Sequence, residues 1–121
     1  MRILIADNQS KVRRALRVLL EQAGQVEIVG EAADAPGLLA RIVTTAADLV
    51  LLDENLPGLA MAELLSVLRR AFPNLRVIAL STRPEDGPAA LAAGAAAFVS
   101  KADPAEQLLA AIEKSWRQVE A

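Results

Sequence analysis

The sequence predicts an α/β fold: a doubly wound parallel sheet of five strands alternating with five helices. Two observations carry this prediction. Three short aliphatic runs, around Ile3, Val50 and Ile78, are apolar enough to be buried on both faces, as strands in the middle of parallel sheets are. Between them apolar residues recur three and four apart, the spacing of one helix face. Alternating the two patterns requires right-handed crossovers, which place helices on both sides of the sheet.

Length and composition narrow the chemistry. A chain of 121 residues is expected to be one domain, 1–121, with a substantial core. Its net charge of −2, from 13 basic and 15 acidic residues, gives no global basic field, so direct nucleic-acid binding is not expected. The apolar runs are too short for a membrane span and the amino terminus has no signal-peptide pattern, so the expected location is cytoplasmic. Cysteine and histidine are both absent, which excludes disulfides, thiolate chemistry, Ser-His-Asp catalysis and the usual zinc sites. Chemistry here must use carboxylates, hydroxyls, lysine and a hard cation.

The elements follow in order. Arg2–Ala6 is a strand that ends at Asp7-Asn8. Val12, Ala15, Leu16, Leu19, Leu20 and Ala23 form one helix face, with Gly24 as the expected stop. The opposite face carries Lys11, Arg13, Arg14 and Arg17, and reads as a solvated surface. Gln25–Ala32 alternates Val26 and Ile28 with polar residues, the pattern of an edge strand. Asp34 is placed to cap a second helix whose buried stripe is Leu38, Leu39, Ile42 and Val43. Leu49–Leu52 is the most apolar strand; it stops at Asp53 and turns at Pro57-Gly58.

Met61, Leu64, Leu65, Leu68 and Phe72 define a third helix that Pro73 ends. Arg76–Leu80 is a strand ending at Ser81-Thr82. Pro84–Ala93 contains Gly87-Pro88, so the fourth helix is expected to start late and be weakly held, since glycine costs about 1 kcal/mol relative to alanine in a helix. Ala96–Val99 is the fifth strand and leads to Ser100-Lys101. Asp103-Pro104-Ala105-Glu106 has a capping-box arrangement, and Leu108, Ile112, Ser115 and Val119 lie along one side of the last helix. With the half-polar Val26 strand at an edge, the strand order is 2-1-3-4-5, a flavodoxin-like arrangement with its switch point between the first and third strands.

Four of the five strands therefore end in a reactive residue type: Asp7-Asn8, Asp53, Ser81 and Lys101. Taken alone, Asp53 fits a turn-opening aspartate as well as it fits a site, because aspartate is common in turns. In a parallel sheet, however, all carboxyl ends share one edge, and the coincidence of four such residues there favours a site. Two carboxylates and a backbone carbonyl suit Mg²⁺, which takes few protein ligands and keeps waters for phosphate oxygens. A carboxylate can also act as a nucleophile toward phosphorus, with a cation, a lysine and a hydroxyl around the developing charge.

These residues carry a resemblance. Asp7-Asn8, the run Asp53–Gly58 (Asp-Glu-Asn-Leu-Pro-Gly), Leu80-Ser81, Ala92–Ala95 (Ala-Ala-Gly-Ala), Phe98 and Lys101 stand in the order and spacing of the receiver domain of two-component response regulators, and the match covers essentially the whole chain. The ending Phe-Val-Ser-Lys-Ala-Asp-Pro (Phe98–Pro104) is similar to receivers joined to helix-turn-helix DNA-binding domains. The resemblance implies a phosphorylation switch: Asp53 accepts a phosphoryl group from a sensor histidine kinase or phosphotransfer protein, and the chain regulates an effector, in transcription control, through a C-terminal DNA-binding domain outside it. It implies Mg²⁺ held by Asp7, the position of Asn8, Asp53 and the carbonyl of Asn55, with Lys101 on a phosphate oxygen and Ser81 moving to another. It further implies Phe98 as an aromatic switch residue, Asn55 and Arg83 as residues that tune phosphate lifetime, and a homodimer on phosphorylation. A receiver is a signalling switch rather than a turnover enzyme.

The sequence departs from the family pattern at Asn8, where the family usually carries a metal-contacting acid, and at Ala60-Met61, where a small polar-glycine pair is usual. Asn8 motivates the alternative of a phosphorylation-independent pseudo-receiver that acts as an interaction module. Two other classes fit poorly. Asn8-Gln9-Ser10-Lys11 is not a flavin phosphate loop, and Asp53-Glu54-Asn55 lacks the second aspartate of an aspartate-based phosphatase.

Overall fold

The central strand, β3 (Leu49–Asp53), is buried at all five positions, which explains why its sequence is apolar without alternation. A computed structural model describes residues 1–120, with side chains described as far as Arg117. β1 (Arg2–Ala6) and β4 (Arg76–Ser81) flank β3, with β2 (Glu27–Ala32) and β5 (Ala97–Ser100) at the two edges, so the parallel sheet runs β2-β1-β3-β4-β5. The expected strand order is therefore observed, and the partly polar β2 is an edge strand with mostly intermediate burial.

Helices cover both faces. On one side, α1 (Ser10–Glu21) and α5 (Ala105–Glu120) pack Leu16, Leu20, Leu108 and Ile112 onto Ile3, Ile5, Leu49, Leu51, Ile78 and Val99. On the other, α2 (Ala35–Thr45), α3 (Met61–Ala71) and α4 (Gly87–Ala92) pack Leu38, Ile42, Leu64, Leu65, Leu68 and Ala90 onto Leu4, Val50, Leu52, Val77 and Ala79. The two lists alternate along β1, β3 and β4, as the period of two requires. Each fully buried leucine or isoleucine contributes about 1.5–3 kcal/mol relative to exposure, and this double layer makes the sheet a rigid frame for whatever sits at its edge.

Several local expectations are met and others are displaced. Asp34 caps α2, its Oδ1 accepting from Gly37 N at 2.7 Å. Gly58 has φ +111°, a region only glycine enters easily, and a Cβ there would lie 3.0 Å from Pro36 Cδ. A hydrogen bond from Ala35 N to Pro57 O at 2.8 Å joins the Pro57-Gly58 turn to α2. α1 ends at Glu21 with Gln22 as its C-cap, three residues before Gly24, so Gly24 does not stop the helix. Asp103 Oδ2 accepts from Ser100 N at 3.1 Å, so that carboxylate closes the turn after β5, and α5 starts two residues later at Ala105. Among the described residues Val43 is the most exposed large aliphatic side chain, 73% accessible, and so lies outside the buried stripe of α2 expected from its spacing. Leu108, Ile112 and Ser115 are buried along α5 as expected, while the side chain of Val119 lies outside the described residues.

The fourth helix does start late. A 3₁₀ turn at Pro84–Asp86 precedes α4, which spans only six residues and has no side-chain cap. Proline at 88 is tolerated because it falls in the first turn, where its missing N–H has no helical partner to lose.

Candidate functional site

Strand register brings the reactive residues together. Ala6 is paired with Leu52, which puts Asp7 level with Asp53; Asp53 is paired with Leu80, and Ser81 with Ser100, so Ser81 and Lys101 stand one and two residues beyond that level. All four lie at the carboxyl edge of the sheet, flanking the switch point between β1 and β3.

Asp7 and Asp53 are almost fully buried, with 1% and 4% of their surface exposed. Lys101 bridges them: its Nζ donates to Asp53 Oδ1 at 2.8 Å and to Asp7 Oδ2 at 2.9 Å. Two carboxylates that close together are tolerable because one ammonium neutralises part of their charge. Burial is the largest single influence on Lys101 and favours its neutral form, yet the hydrogen bonds and charges of Asp53 and Asp7 outweigh it and raise its pKa above the ordinary lysine value. Lys101 is held in place by its own backbone, whose N–H donates to Ser81 O at 2.7 Å. Asp7 is fixed in turn by its N–H to Ala32 O at 3.0 Å and by Oδ1 accepting from Gln9 N at 2.9 Å.

The donor set fits Mg²⁺ in a sparse form. Both carboxylates already direct an oxygen at one cationic group, and Mg²⁺ is commonly held by one or two carboxylates with waters and phosphate oxygens completing its shell. Asn8 and Asn55 are exposed beside this pair. Among the described residues no group of three or more His, Cys, Asp or Glu side chains is arranged to hold a metal.

Ser81, 2% exposed, does not point its hydroxyl at Asp53. Its Oγ donates to Asp86 Oδ2 at 2.7 Å and accepts from Arg83 N at 3.0 Å. Glu54, the neighbour of Asp53, also meets Asp86. Burial and the Asp86 carboxylate raise the pKa of Glu54, whereas hydrogen bonds from Glu54 and then Ser81 lower that of Asp86. Arg83 extends into solvent, with its Nε 3.2 Å from Glu85 Oε1 and 3.9 Å from Asp86 Oδ1.

Phe98, half-buried, packs into the core layer beneath α2, α3 and α4, against Gly87 at the start of α4. A Cβ on Gly87 would lie 3.0 Å from Phe98 Cδ2.

Two features were not foreseen from sequence. Asp86 takes the Ser81 hydroxyl and also interacts with Glu54, and the sequence signals for this were acids beside the site, Glu54 after Asp53 and Glu85-Asp86 just before Gly87. The basic face of α1 is also not wholly solvated. Arg13 and Arg17 both bind Glu31 on β2, at 2.9 and 2.8 Å, and Arg13 Nη1 donates to Asp7 O at 2.7 Å. That chain of contacts braces the β1–α1 turn from the neighbouring strand.

Comparison with known proteins agrees with this geometry. A family model described as "Response regulator receiver domain" matches residues 3–113. Response regulator UvrY of Escherichia coli (strain K12) is 29% identical over 116 residues, 94% of this chain and 53% of that protein. A protein-glutamate methylesterase/protein-glutamine glutaminase of Caulobacter vibrioides is 37% identical over 105 residues, 84% of this chain and 30% of that protein. The chain thus spans about half the length, or less, of these curated relatives. The isolated receiver domain of RcsB from Salmonella enterica serovar Typhimurium, solved with the phosphomimetic BeF3−, superposes with a TM-score of 0.82 at 27% identity, covering 98% of this chain and 97% of that one. The fold, the four strand-end residues and these matches agree, and the chain belongs to the response regulator receiver domain family.

Proposed function

We propose that this chain is a phosphorylation switch in which Asp53 accepts a phosphoryl group from the phosphohistidine of a histidine kinase or phosphotransfer protein. The observation that carries the reading is the bridge from Lys101 Nζ to both Asp53 and Asp7 at 2.8 and 2.9 Å, which sets a cation beside a nucleophile-type carboxylate at the mouth of the sheet.

An Asp53 carboxylate oxygen attacks phosphorus; the new O–P bond forms as the P–N bond to the donor imidazole breaks, and that nitrogen keeps the electron pair. Lys101 turns its N–H groups from the carboxylates to a phosphoryl oxygen, and Ser81 supplies a hydroxyl donor to another. Asp7, Asp53 and the carbonyl of Asn55 are the ligands assigned to Mg²⁺, which when bound offsets the negative charge on the transferred group. Asn55 and Arg83, both exposed, are the residues assigned to govern access of water to the acyl phosphate. Rearrangement at Ser81 reaches Phe98 through α4, and the output passes to an effector in transcription control, in line with similar solved structures described as a DNA-binding response regulator and as RcsB bound to a promoter.

Asn8 favours a second reading, a pseudo-receiver that binds its partner without phosphorylation. One experiment separates the two. Incubation with Mg²⁺ and a small acyl phosphate should add one phosphoryl mass to the wild type and none to Asp53→Asn; a wild type that stays unmodified at millimolar Mg²⁺ rules out the switch.

A further inference from the structure

We propose that Asp86 is a positioning residue that holds the Ser81 hydroxyl away from Asp53 and, through the same contact, ties down the start of α4. The first half rests on Asp53 being the phosphoacceptor; the second concerns the unphosphorylated protein and stands on its own.

A serine hydroxyl has one proton to donate. In this structure that proton is given to Asp86 Oδ2 at 2.7 Å, a short charge-assisted bond, while Arg83 N at 3.0 Å fixes the oxygen from the other side. A Ser81 hydroxyl engaged in this way is not free to donate to a phosphoryl oxygen on Asp53. Phosphorylation and the Asp86 contact therefore compete for one donor.

The contact also has a mechanical consequence. Asp86 is the last residue of the 3₁₀ turn, and Gly87 begins α4 directly after it. α4 is six residues long, carries Gly87 and Pro88, and has no side-chain cap, with only Gly87 and Ala90 buried. Such a helix has little of its own to hold it, so the bond between Asp86 and the buried β4 residue Ser81 is a principal anchor for its first turn. Gly87 lies against the Phe98 ring, so release of Asp86 frees the backbone on which that ring rests. Arg83 Nε, 3.9 Å from Asp86 Oδ1, is the cation ready to take up the released carboxylate.

The test is amide hydrogen exchange on the unphosphorylated full chain, comparing wild type, Ser81→Ala, Asp86→Ala, Asp86→Asn and the Ser81→Ala/Asp86→Ala double variant. Loss of the contact should raise exchange across residues 84–92 by about tenfold in Asp86→Ala and by a smaller factor in Ser81→Ala, where Glu54 still meets Asp86, with no further rise in the double beyond Asp86→Ala. Asp86→Asn keeps an acceptor oxygen and should retain most of the protection. Increases that multiply in the double variant, or unchanged exchange in Asp86→Ala, would overturn the tether. With Mg²⁺ and a small acyl phosphate, Asp86→Ala should be phosphorylated several-fold faster than wild type, and an equal rate would overturn the positioning role. A wild type that takes no phosphate refutes the acceptor reading alone, and the exchange comparison still decides the tether.

Discussion

Lys101 reaches across 48 positions of sequence to donate to Asp53 Oδ1 at 2.8 Å, and the same Nζ serves Asp7 at 2.9 Å. Removing it leaves two buried carboxylates facing one another without their shared cation. Lys101→Met, which keeps most of the stem's packing, should destabilise the protein by about 3 kcal/mol at pH 7 in urea unfolding. Asp53→Asn leaves the ammonium paired with Asp7 and should cost about 1 kcal/mol or less. The pH dependence has a definite sign. Because the folded pKa of Lys101 is raised, its contribution is fully present below the unfolded value of about 10.4 and fades as pH rises through the higher folded value. The gap between wild type and Lys101→Met should therefore shrink as pH rises above about 10.4, and a gap that stays full well above that value would place the effect elsewhere.

Asn8 is exposed at the mouth of the site, where an aspartate would add a second negative charge next to Asp7. One more unit charge near a divalent ion, even at the dielectric of water, should raise Mg²⁺ affinity about tenfold. Asn8→Asp should show this gain by calorimetric titration and a parallel rise in phosphorylation rate at limiting Mg²⁺. An unchanged affinity would mean that position 8 does not face the ion.

The fold was largely legible because it depends on patterns that burial enforces: β3 is apolar throughout, β2 alternates, and the helices repeat at three and four. The convergence of Asp7, Asp53, Ser81 and Lys101 followed from topology alone, since parallel strands share one carboxyl edge. What stayed hidden was the choice among partners for a polar group. Nothing local distinguishes the solvated Arg14 from Arg13 and Arg17, whose partner Glu31 is on a strand that sequence reasoning could place only roughly. Asp103 was assigned to a helix cap and instead closes a turn, because a carboxylate near two sets of free amides can serve either. Asp86 was invisible for a related reason: its distance from Ser81 is set by a 3₁₀ turn, and side-chain capture of a hydroxyl leaves no periodic trace.

Glu31 accepts from Arg13 and Arg17 at 2.9 and 2.8 Å, and through Arg13 it steadies the carbonyl of Asp7. Burial raises the Glu31 pKa, but the two guanidinium groups outweigh it and the net shift is downward. A lowered folded pKa stabilises above the unfolded value of about 4.3 and is lost as pH falls through the folded one. Glu31→Gln should cost about 1 kcal/mol at pH 7, discounted for the partial exposure of the pair, and almost nothing well below pH 4. Denaturant midpoints for both proteins across that range check the prediction, and a deficit that persists in acid would mean that the residue acts through packing rather than charge.

Gly87 and Phe98 offer a test of the link from α4 to β5. Gly87 has φ −57° and ψ −51°, so alanine suits its backbone and any effect of Gly87→Ala must come from the new methyl group. That methyl would lie 3.0 Å from Phe98 Cδ2 and 3.4 Å from two further ring carbons, closer than ordinary contact allows, while the ring itself is only half-buried and able to turn away. The backbone entropy gained on replacing glycine offsets part of the steric cost, so the net stability change should stay within about 1 kcal/mol. The ring position should nonetheless change. With only two phenylalanines and no tyrosine in the chain, the Phe98 ring resonances are readily assigned by NMR, and they should shift in Gly87→Ala while those of Phe72 do not. Unmoved Phe98 resonances would show that the ring does not rest on Gly87, and that motion of α4 must reach β5 by another route.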